Sequence, residues 1–514
     1  MDNIKLETSR EITSTPLFSK LEQKTQMIKN KNRVENFHNR STHTMEVMNC
    51  ALLIKDQIKE KVHIDEEILV AASLLHDIGH TPFGHAGEEI LNEIFLSNDN
   101  LHYAETYPGL FKHNINSIKI IGEHFDEKYK KFEIMDAILK HTSPFPKNYC
   151  FNVFKEANII KSNFILRYFE PSLTENLKKF INLFTNLDLC KFKSMNHIVG
   201  FNYCYLCSNA ENKNCKLCVN TNLNEFLLSK YICYPYALTY EGAILYLADE
   251  ISCFCSDLVD FANYVMNNEK EISLFIPFAK INNAVSIIKT LYPNNEVTLL
   301  LQQYIDLFSN GKSLDNGTVT SIADKIKEEM VKTVKTTQKA INIDNIYISF
   351  DQKDSFCQPL LTIDESCLKI LKIIKNAIYQ DLHSIPRIKN NNKTGQKKIT
   401  KLINYYCDHL TVFFDEYRNT YKDSLFKRLS MSIARVIKKD YKEVFKHIVN
   451  NKLDKIDGVF GEEFKNRLEI DDKNLLLAKN LVKREIGYFV ATLSDEECDL
   501  FVKNYFHRKN IKNS

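Results

Sequence analysis

Leu74–Glu88 reads LLHDIGHTPFGHAGE, which sets three histidines, an aspartate and a glutamate within fifteen positions, among small residues and one proline. Ordinary packing seldom needs that much titratable chemistry, so the stretch predicts a polar site. The approach to it predicts a helix: Asp65 as N-cap, Glu66 and Glu67 at the positive end of the dipole, and Ile68, Ala71, Ala72 and Leu75 on one face. Gly79 is expected to close that helix, and Thr81-Pro82 to cap and open the next. On this division His76 and Asp77 come from the end of one helix, whereas His85 and Glu88, three apart, share a face of the following one.

The surrounding chain bounds the fold class. Its 514 residues are 26% charged and 44% hydrophobic, ample for a packed core. With 13 Gly and 11 Pro there is little punctuation for many short strands, and long stretches rich in Leu, Ile, Lys and Glu favour helices. No apolar run approaches the roughly 20 residues of a membrane span, and MDNIKLETSREI lacks the apolar core of a signal peptide. A cytoplasmic location without membrane attachment is therefore expected, where the 14 Cys would not form a disulfide framework. A net charge of +3 does not call for a nucleic-acid partner.

The adjacent His76-Asp77 pair is the mark of the HD phosphohydrolase superfamily, and HDIGHTPFGHAGE resembles the core motif of the deoxyguanosine triphosphate triphosphohydrolases and their relatives. Other stretches are similar to the same family. His38-Asn-Arg-Ser-Thr-His43 carries an R-x-x-H, in which Arg40 and His43 face one way on a helix. A guanidinium fork suits phosphate oxygens and imidazole is a common metal ligand. Thr239–Asp260, TYEGAILYLADEISCFCSDLVD, contains the family's Ala-Asp-[Asp/Glu]-Ile and places Asp249, Cys253 and Asp257 four apart on one helical face. Ser14–Met27, STPLFSKLEQKTQM, is similar to the N-terminal signature, and the Gly109–Asn114 segment to a block with a histidine before Asn or Glu.

Carried over by position, the resemblance implies His43, His76, Asp77 and Asp249 as ligands of one divalent metal. Two imidazoles and two carboxylates suit Mn²⁺, Fe²⁺, Co²⁺ or Mg²⁺. It also implies catalytic roles for His80, His85, Glu88 and His113, with Glu88 holding the ring of His85 while that imidazole acts on the attacking water or on the leaving O5′. A carboxylate on one ring nitrogen fixes the tautomer and raises the basicity of the other, leaving both base and acid roles open. Gln26 would lie along the sugar edge, Arg40 on the polyphosphate and Asp257 near the 3′-hydroxyl. One position departs from the pattern: Cys253 stands where the family has a tyrosine against the sugar. His102, His124 and His141 match nothing and read as ordinary residues.

Between these blocks, Cys190–Cys233 reads as an insertion. Cys204-x-x-Cys207 and Cys215-x-x-Cys218, separated by seven residues, have the spacing of two zinc knuckles. Further on, Arg387–Lys401, RIKNNNKTGQKKITK, reads as a solvated basic loop in which Arg387 is the candidate polyphosphate contact. No repeat and no Gly-rich phosphate loop appears.

The resulting expectation is an all-α chain: an HD-type helical core with a C-terminal helical extension and a small Cys-rich insertion. Its parts would be 1–189 and 236–300 for the core, 190–235 for the insertion and 301–514 for the extension, with the resemblance reaching over most of the chain except the insertion. The activity implied is cleavage of a dGTP-like deoxynucleoside triphosphate to deoxynucleoside and inorganic triphosphate, with a nucleotide activator and a symmetric homo-oligomer. The rival readings are an HD phosphodiesterase acting on another nucleotide, and a nucleotide sensor or single-stranded nucleic-acid binder with gated activity.

Overall fold

The computed structural model describes residues 2–26, 28, 37–96, 111, 113–141, 239–267, 279–309, 316–336, 340–343, 346–350, 357–358, 360–420, 429–430, 433–434, 437, 439–450 and 455–512. The Cys-rich segment, with Cys204, Cys207, Cys215 and Cys218, lies outside them.

The described chain is built mainly of helices, as the composition leads one to expect. At its centre lies the Tyr240–Asn267 helix, 28 residues long, packed against Arg40–Ile58, Asn316–Lys332, Phe132–Lys140 and Glu66–Leu75. Ile244, Leu245, Ala248, Ile251, Phe254, Leu258, Phe261 and Ala262 give it a wide apolar surface, almost fully buried. Arg40–Ile58 starts on a reciprocal capping box: Asn39 Oδ1 accepts from the Thr42 N–H (2.9 Å) and Thr42 Oγ1 accepts from the Asn39 N–H (3.1 Å). Glu66–Leu75 starts on Asp65, whose carboxylate accepts from the Ile68 N–H at 3.1 Å.

The second half wraps this core. Pro386–Asp408 packs on Gly84–Leu96, Asp472–Thr492 and Asp495–Lys512. It takes in the whole basic run, which corrects the loop expected there. Pro386 sits at the first helical position, and Ile388, Ile399, Leu402, Ile403 and Tyr406 are buried at helical spacing. The lysines and asparagines fill the outer face, and their polarity masked the period. Gly395 lies so close to Phe83 that a Cβ there would meet the ring at 2.6 Å.

Two small antiparallel pieces interrupt the helices in the C-terminal region, where only helices were expected. β1 (Lys335–Thr336) pairs with β5 (Leu361–Thr362), and β2 (Ala340–Ile343), β3 (Ile346–Phe350) and β4 (Cys357–Gln358) form a three-stranded sheet. The alternation in Ile346-Tyr-Ile-Ser-Phe350 is the strand signal they carry.

Candidate metal centre

The His-Asp turn is held from outside by the His113–His124 helix. Ser117 Oγ donates to the His76 carbonyl (2.6 Å) and accepts from the Gly79 N–H (2.9 Å), while Asn116 Nδ2 donates to the Gly79 carbonyl (2.8 Å). A Cβ on Gly79 would lie 2.2 Å from the Ser117 nitrogen and 2.3 Å from the His113 oxygen. The first helix ends at Leu75, so Gly79 is required for this close approach and does not close that helix. The next helix begins at Gly84 and not at Pro82, because Phe83 and Gly84 both take positive φ, 61° and 58°. The Phe83 N–H donates to Asp495 Oδ1 at 2.7 Å, which ties the turn to the C-terminal helices.

On this frame the Arg40–Ile58 helix, the His-Asp turn and the Tyr240–Asn267 helix converge. His43 Nε2 lies 3.0 Å from Asp249 Oδ1 and 3.8 Å from Asp77 Oδ2. His76 Nε2 faces Asp77 Oδ1 at 3.4 Å and Asp249 Oδ1 at 3.8 Å. Arg40 Nη1 donates to Asp77 Oδ2 at 2.8 Å, and His80 Nε2 lies 3.2 Å from Asp77 Oδ1. His43, His76 and Asp249 offer ligand atoms all within 4.8 Å of one another. His76 donates Nδ1–H to the Ser73 carbonyl at 2.6 Å, so its Nε2 presents a lone pair to two carboxylates. That nitrogen, fully buried, has no hydrogen-bond partner among the described residues. A lone pair aimed at carboxylate oxygens calls for a cation between them, and the donor set fits a divalent ion.

The charges agree with that reading. Burial alone would raise the Asp77 carboxyl, but His80, His76 and Arg40 outweigh it and hold it well below the usual range. Burial likewise works against ionised Asp249, and the hydrogen bond from His43, with the His76 and His43 rings, overrides it and depresses the carboxyl. Burial, reinforced by the Arg40 guanidinium, pushes His80 well down, so its ring stays neutral.

Several expected residues meet here. Glu88, expected to hold the ring of His85, has its Oε2 3.2 Å from His113 Nδ1. His113 in turn stacks on His80, ring centroids 3.7 Å apart and 15° from parallel. His85 is exposed, its ring 6.2 Å from that of His80. Gln26 Nε2 approaches Cys253 Sγ at 3.9 Å, and that sulfur sits 3.6 Å from Asp249 Oδ1 and 3.8 Å from His43 Nε2. Asp257 is buried one turn beyond Cys253, where burial pushes its carboxyl up to about 7. Arg387 is half-buried in the first turn of the Pro386–Asp408 helix.

Three residues at the site were missed in the sequence, one of them, His141, because it read as ordinary. His141 caps the C-terminus of Phe132–Lys140, and burial, followed by the His76 ring, pushes it down to about 3. Lys375 pairs with Glu250 at 3.1 Å on the face that carries Cys253 and Asp257. Lys24 is fully buried, donating to the His80 carbonyl and to the Ala491 carbonyl (3.1 Å). None has a local spacing that marks it; each reaches the site through tertiary packing alone.

Residues 40–172 match the HD domain family model, so the chain carries an HD domain. Over 137 residues it is 34% identical to a deoxyguanosinetriphosphate triphosphohydrolase-like protein of Geobacter metallireducens, covering 25% of this chain and 31% of that protein. Proteins of the same description from Ralstonia pickettii (35% over 139 residues, 26% and 32% covered) and Bartonella tribocorum (31% over 153 residues, 28% and 34% covered) are similar to it as well. The chain thus spans about a third of the length of these relatives, a narrower reach than the scattered motifs suggest. Among the described residues, no helix is long and apolar enough to cross a membrane.

Proposed function

We propose that the chain is a metal-dependent phosphohydrolase of the HD type that cleaves a dGTP-like deoxynucleoside triphosphate to deoxynucleoside and inorganic triphosphate. The observation that carries the reading is the convergence of His43, His76, Asp77 and Asp249 around an unpartnered, buried His76 Nε2. The similarity to proteins described as deoxyguanosinetriphosphate triphosphohydrolase-like supports the substrate class.

These four residues would hold a divalent ion of the Mn²⁺, Fe²⁺, Co²⁺ or Mg²⁺ class. When bound there, such an ion supplies Lewis acidity toward a phosphate oxygen and lowers the pKa of a water. The protein's own groups do the remainder. Asp77 fixes the Arg40 guanidinium through Nη1, leaving its other N–H groups to take polyphosphate oxygens alongside neutral His80. His85, exposed at the start of the Gly84–Leu96 helix, is placed to exchange the proton of the attacking water or of the leaving O5′ with solvent. Gln26 and Asp257, on either side of Cys253, would orient the sugar.

A second reading, an HD phosphodiesterase or a nucleotide sensor, is favoured by Cys253, which puts a thiol where an aromatic sugar contact is expected. Incubation of the protein with Mn²⁺ and each dNTP and NTP, singly and in pairs so that an activator is included, decides by chromatography of the products. Deoxynucleoside with inorganic triphosphate is the expected outcome. Bound nucleotide without turnover in any mixture would transfer the assignment to the sensor, and release of other phosphate products to the phosphodiesterase.

A further inference from the structure

The sulfur of Cys253 sits within the ligand set. Asp249 and Cys253 are one turn apart on the Tyr240–Asn267 helix and turn to the same side. Cys253 Sγ lies 3.6 Å from Asp249 Oδ1 and 3.8 Å from His43 Nε2, and those two atoms are 3.0 Å apart. Such separations are those of atoms that share an ion. With bonds of about 2.1 Å to nitrogen and oxygen and about 2.3 Å to sulfur, they correspond to angles of roughly 90°, 110° and 120° at one metal. A single position satisfies all three bonds.

Two further observations bear on that position. His76 Nε2, fully buried and without a hydrogen-bond partner among the described residues, faces the same Asp249 oxygen at 3.8 Å, so a cation is called for here whether or not the sulfur joins it. Gln26 Nε2 approaches the sulfur at 3.9 Å, and an amide N–H directed at sulfur suits a metal thiolate, which only accepts. Cys255, two residues on, is buried in the apolar core. The polar company of Cys253 therefore follows from its register on the helix.

We propose that Cys253 is a further ligand of the ion held by His43, His76, Asp77 and Asp249, and that its thiolate sets the metal preference of the site. As the sulfur–metal bond forms, the thiol gives up its proton to solvent. Nitrogen and oxygen donors alone suit Mn²⁺ or Mg²⁺, and one thiolate moves the choice toward Fe²⁺, Co²⁺ or Zn²⁺. The inference rests on the reading of the site as a metal centre and is independent of which nucleotide is cleaved.

Co²⁺ is the probe, because a thiolate bound to it gives a near-ultraviolet charge-transfer band that nitrogen and oxygen ligands do not. The full chain, freed of metal with a chelator, is titrated with Co²⁺ and with Mn²⁺ beside Cys253→Ser, Cys253→Ala and His76→Ala, each checked for folding by thermal melting. Any band from the Cys-rich segment is common to all four proteins, so the difference between wild type and Cys253→Ala isolates this sulfur. A difference band that is also lost in His76→Ala is expected. Cys253→Ser should lose affinity for Co²⁺ at least about 10-fold more than for Mn²⁺, beyond the effect of an outer partner. Identical spectra for wild type and folded Cys253→Ala at equal Co²⁺ occupancy would overturn the proposal, as would equal losses for the two ions in Cys253→Ser. The converse variant, Cys204→Ser, Cys207→Ser, Cys215→Ser and Cys218→Ser together, keeps Cys253 and should keep its band; absence of the band there would overturn the proposal as well. Failure of the metal reading itself looks different, since Co²⁺ occupancy would then be the same in His76→Ala as in wild type. Co²⁺ bound through His76 without the band would sink the thiolate ligand alone.

Discussion

The helix Arg40–Ile58 meets Tyr240–Asn267 at two polar clusters, and the contrast between them separates a structural histidine from a ligand. At the first cluster His38 is saturated. Its Nδ1 lies 2.7 Å from Asp260 Oδ1, its Nε2 lies 3.1 Å from Glu46 Oε1, and Ser256 Oγ donates to Glu46 Oε2 at 2.6 Å. Burial disfavours the charged ring, but the hydrogen bonds to Asp260 and Glu46 outweigh it and raise His38 to about 10. A proton completes that site. At the second cluster His76 has only one nitrogen satisfied, the other facing two carboxylates with no hydrogen on either side. The same residue types, a few residues away, remain incomplete until a cation larger than a proton arrives.

The contrast breaks most severely if its incomplete half proves dispensable. His76→Ala removes the lone pair shared between Asp77 and Asp249, so metal binding should be lost. Turnover should fall by roughly 10³-fold or more, the scale of removing a central electrostatic group. Metal analysis and the product assay check both, and a fully active variant would dismiss the ligand set.

The complete half should answer in stability. His38→Gln leaves buried Asp260 and half-buried Glu46 without their shared cation, at a cost of about 3 kcal/mol, the scale of breaking a buried ion pair. The sign of its pH dependence is fixed. His38 is raised from 6.5 to about 10 on folding, so its contribution is full below pH 6.5 and is lost as pH rises through 10. Burial opposes ionised Glu46, but the His38 hydrogen bond and charge lower it from 4.5 to about 2, so its contribution is present above pH 4.5 and is lost as pH falls toward 2. Melting of wild type and His38→Gln should therefore differ most between pH 4.5 and 6.5 and converge above 10. A difference that does not vary with pH would remove the proton from the account.

How far each half could be read in advance follows from where its information lies. The proposed ligands His43, His76, Asp77 and Asp249 sit in compact motifs that are legible one by one. The cap on Asp65 was equally local. His141 and Lys375 could not be read, because their partners come from helices distant in sequence and no spacing reports that. The contact of Glu88 with His113 was hidden for a related reason. A helix face shared with His85 makes those two neighbours in sequence, whereas His113 reaches Glu88 because Ser117 and Asn116 dock the His113–His124 helix onto Gly79. Arg387–Lys401 misled in the opposite direction, its polar face hiding a helix that only the spacing of Ile388, Ile399 and Leu402 betrays.

The Glu88–His113 contact gives the next test. Glu88→Gln keeps the shape beside His113 Nδ1 but removes the charge that fixes its tautomer, and activity should drop about 10- to 100-fold, the scale of altering the partner that orients a histidine at a metal centre. Mn²⁺ affinity should stay as in the wild type. A weaker affinity would place Glu88 behind the ligand set instead.

The smallest effect probes the hinge between the clusters. Asn39 stands between His38 and Arg40, and its side chain caps the helix that begins with Arg40. Asn39→Ala should cost about 1 kcal/mol, the ordinary loss of an N-cap, because the Thr42 N–H is left without its acceptor. The buried ends of the two networks are anchored independently, His38 by Asp260 and Arg40 by Asp77, so the cap's loss should lower the melting temperature without altering Mn²⁺ affinity. If Mn²⁺ affinity fell with it, Arg40 and His43 would owe their positions to the same first turn that seats His38. The saturated cluster would then be the support on which the incomplete one is held in register.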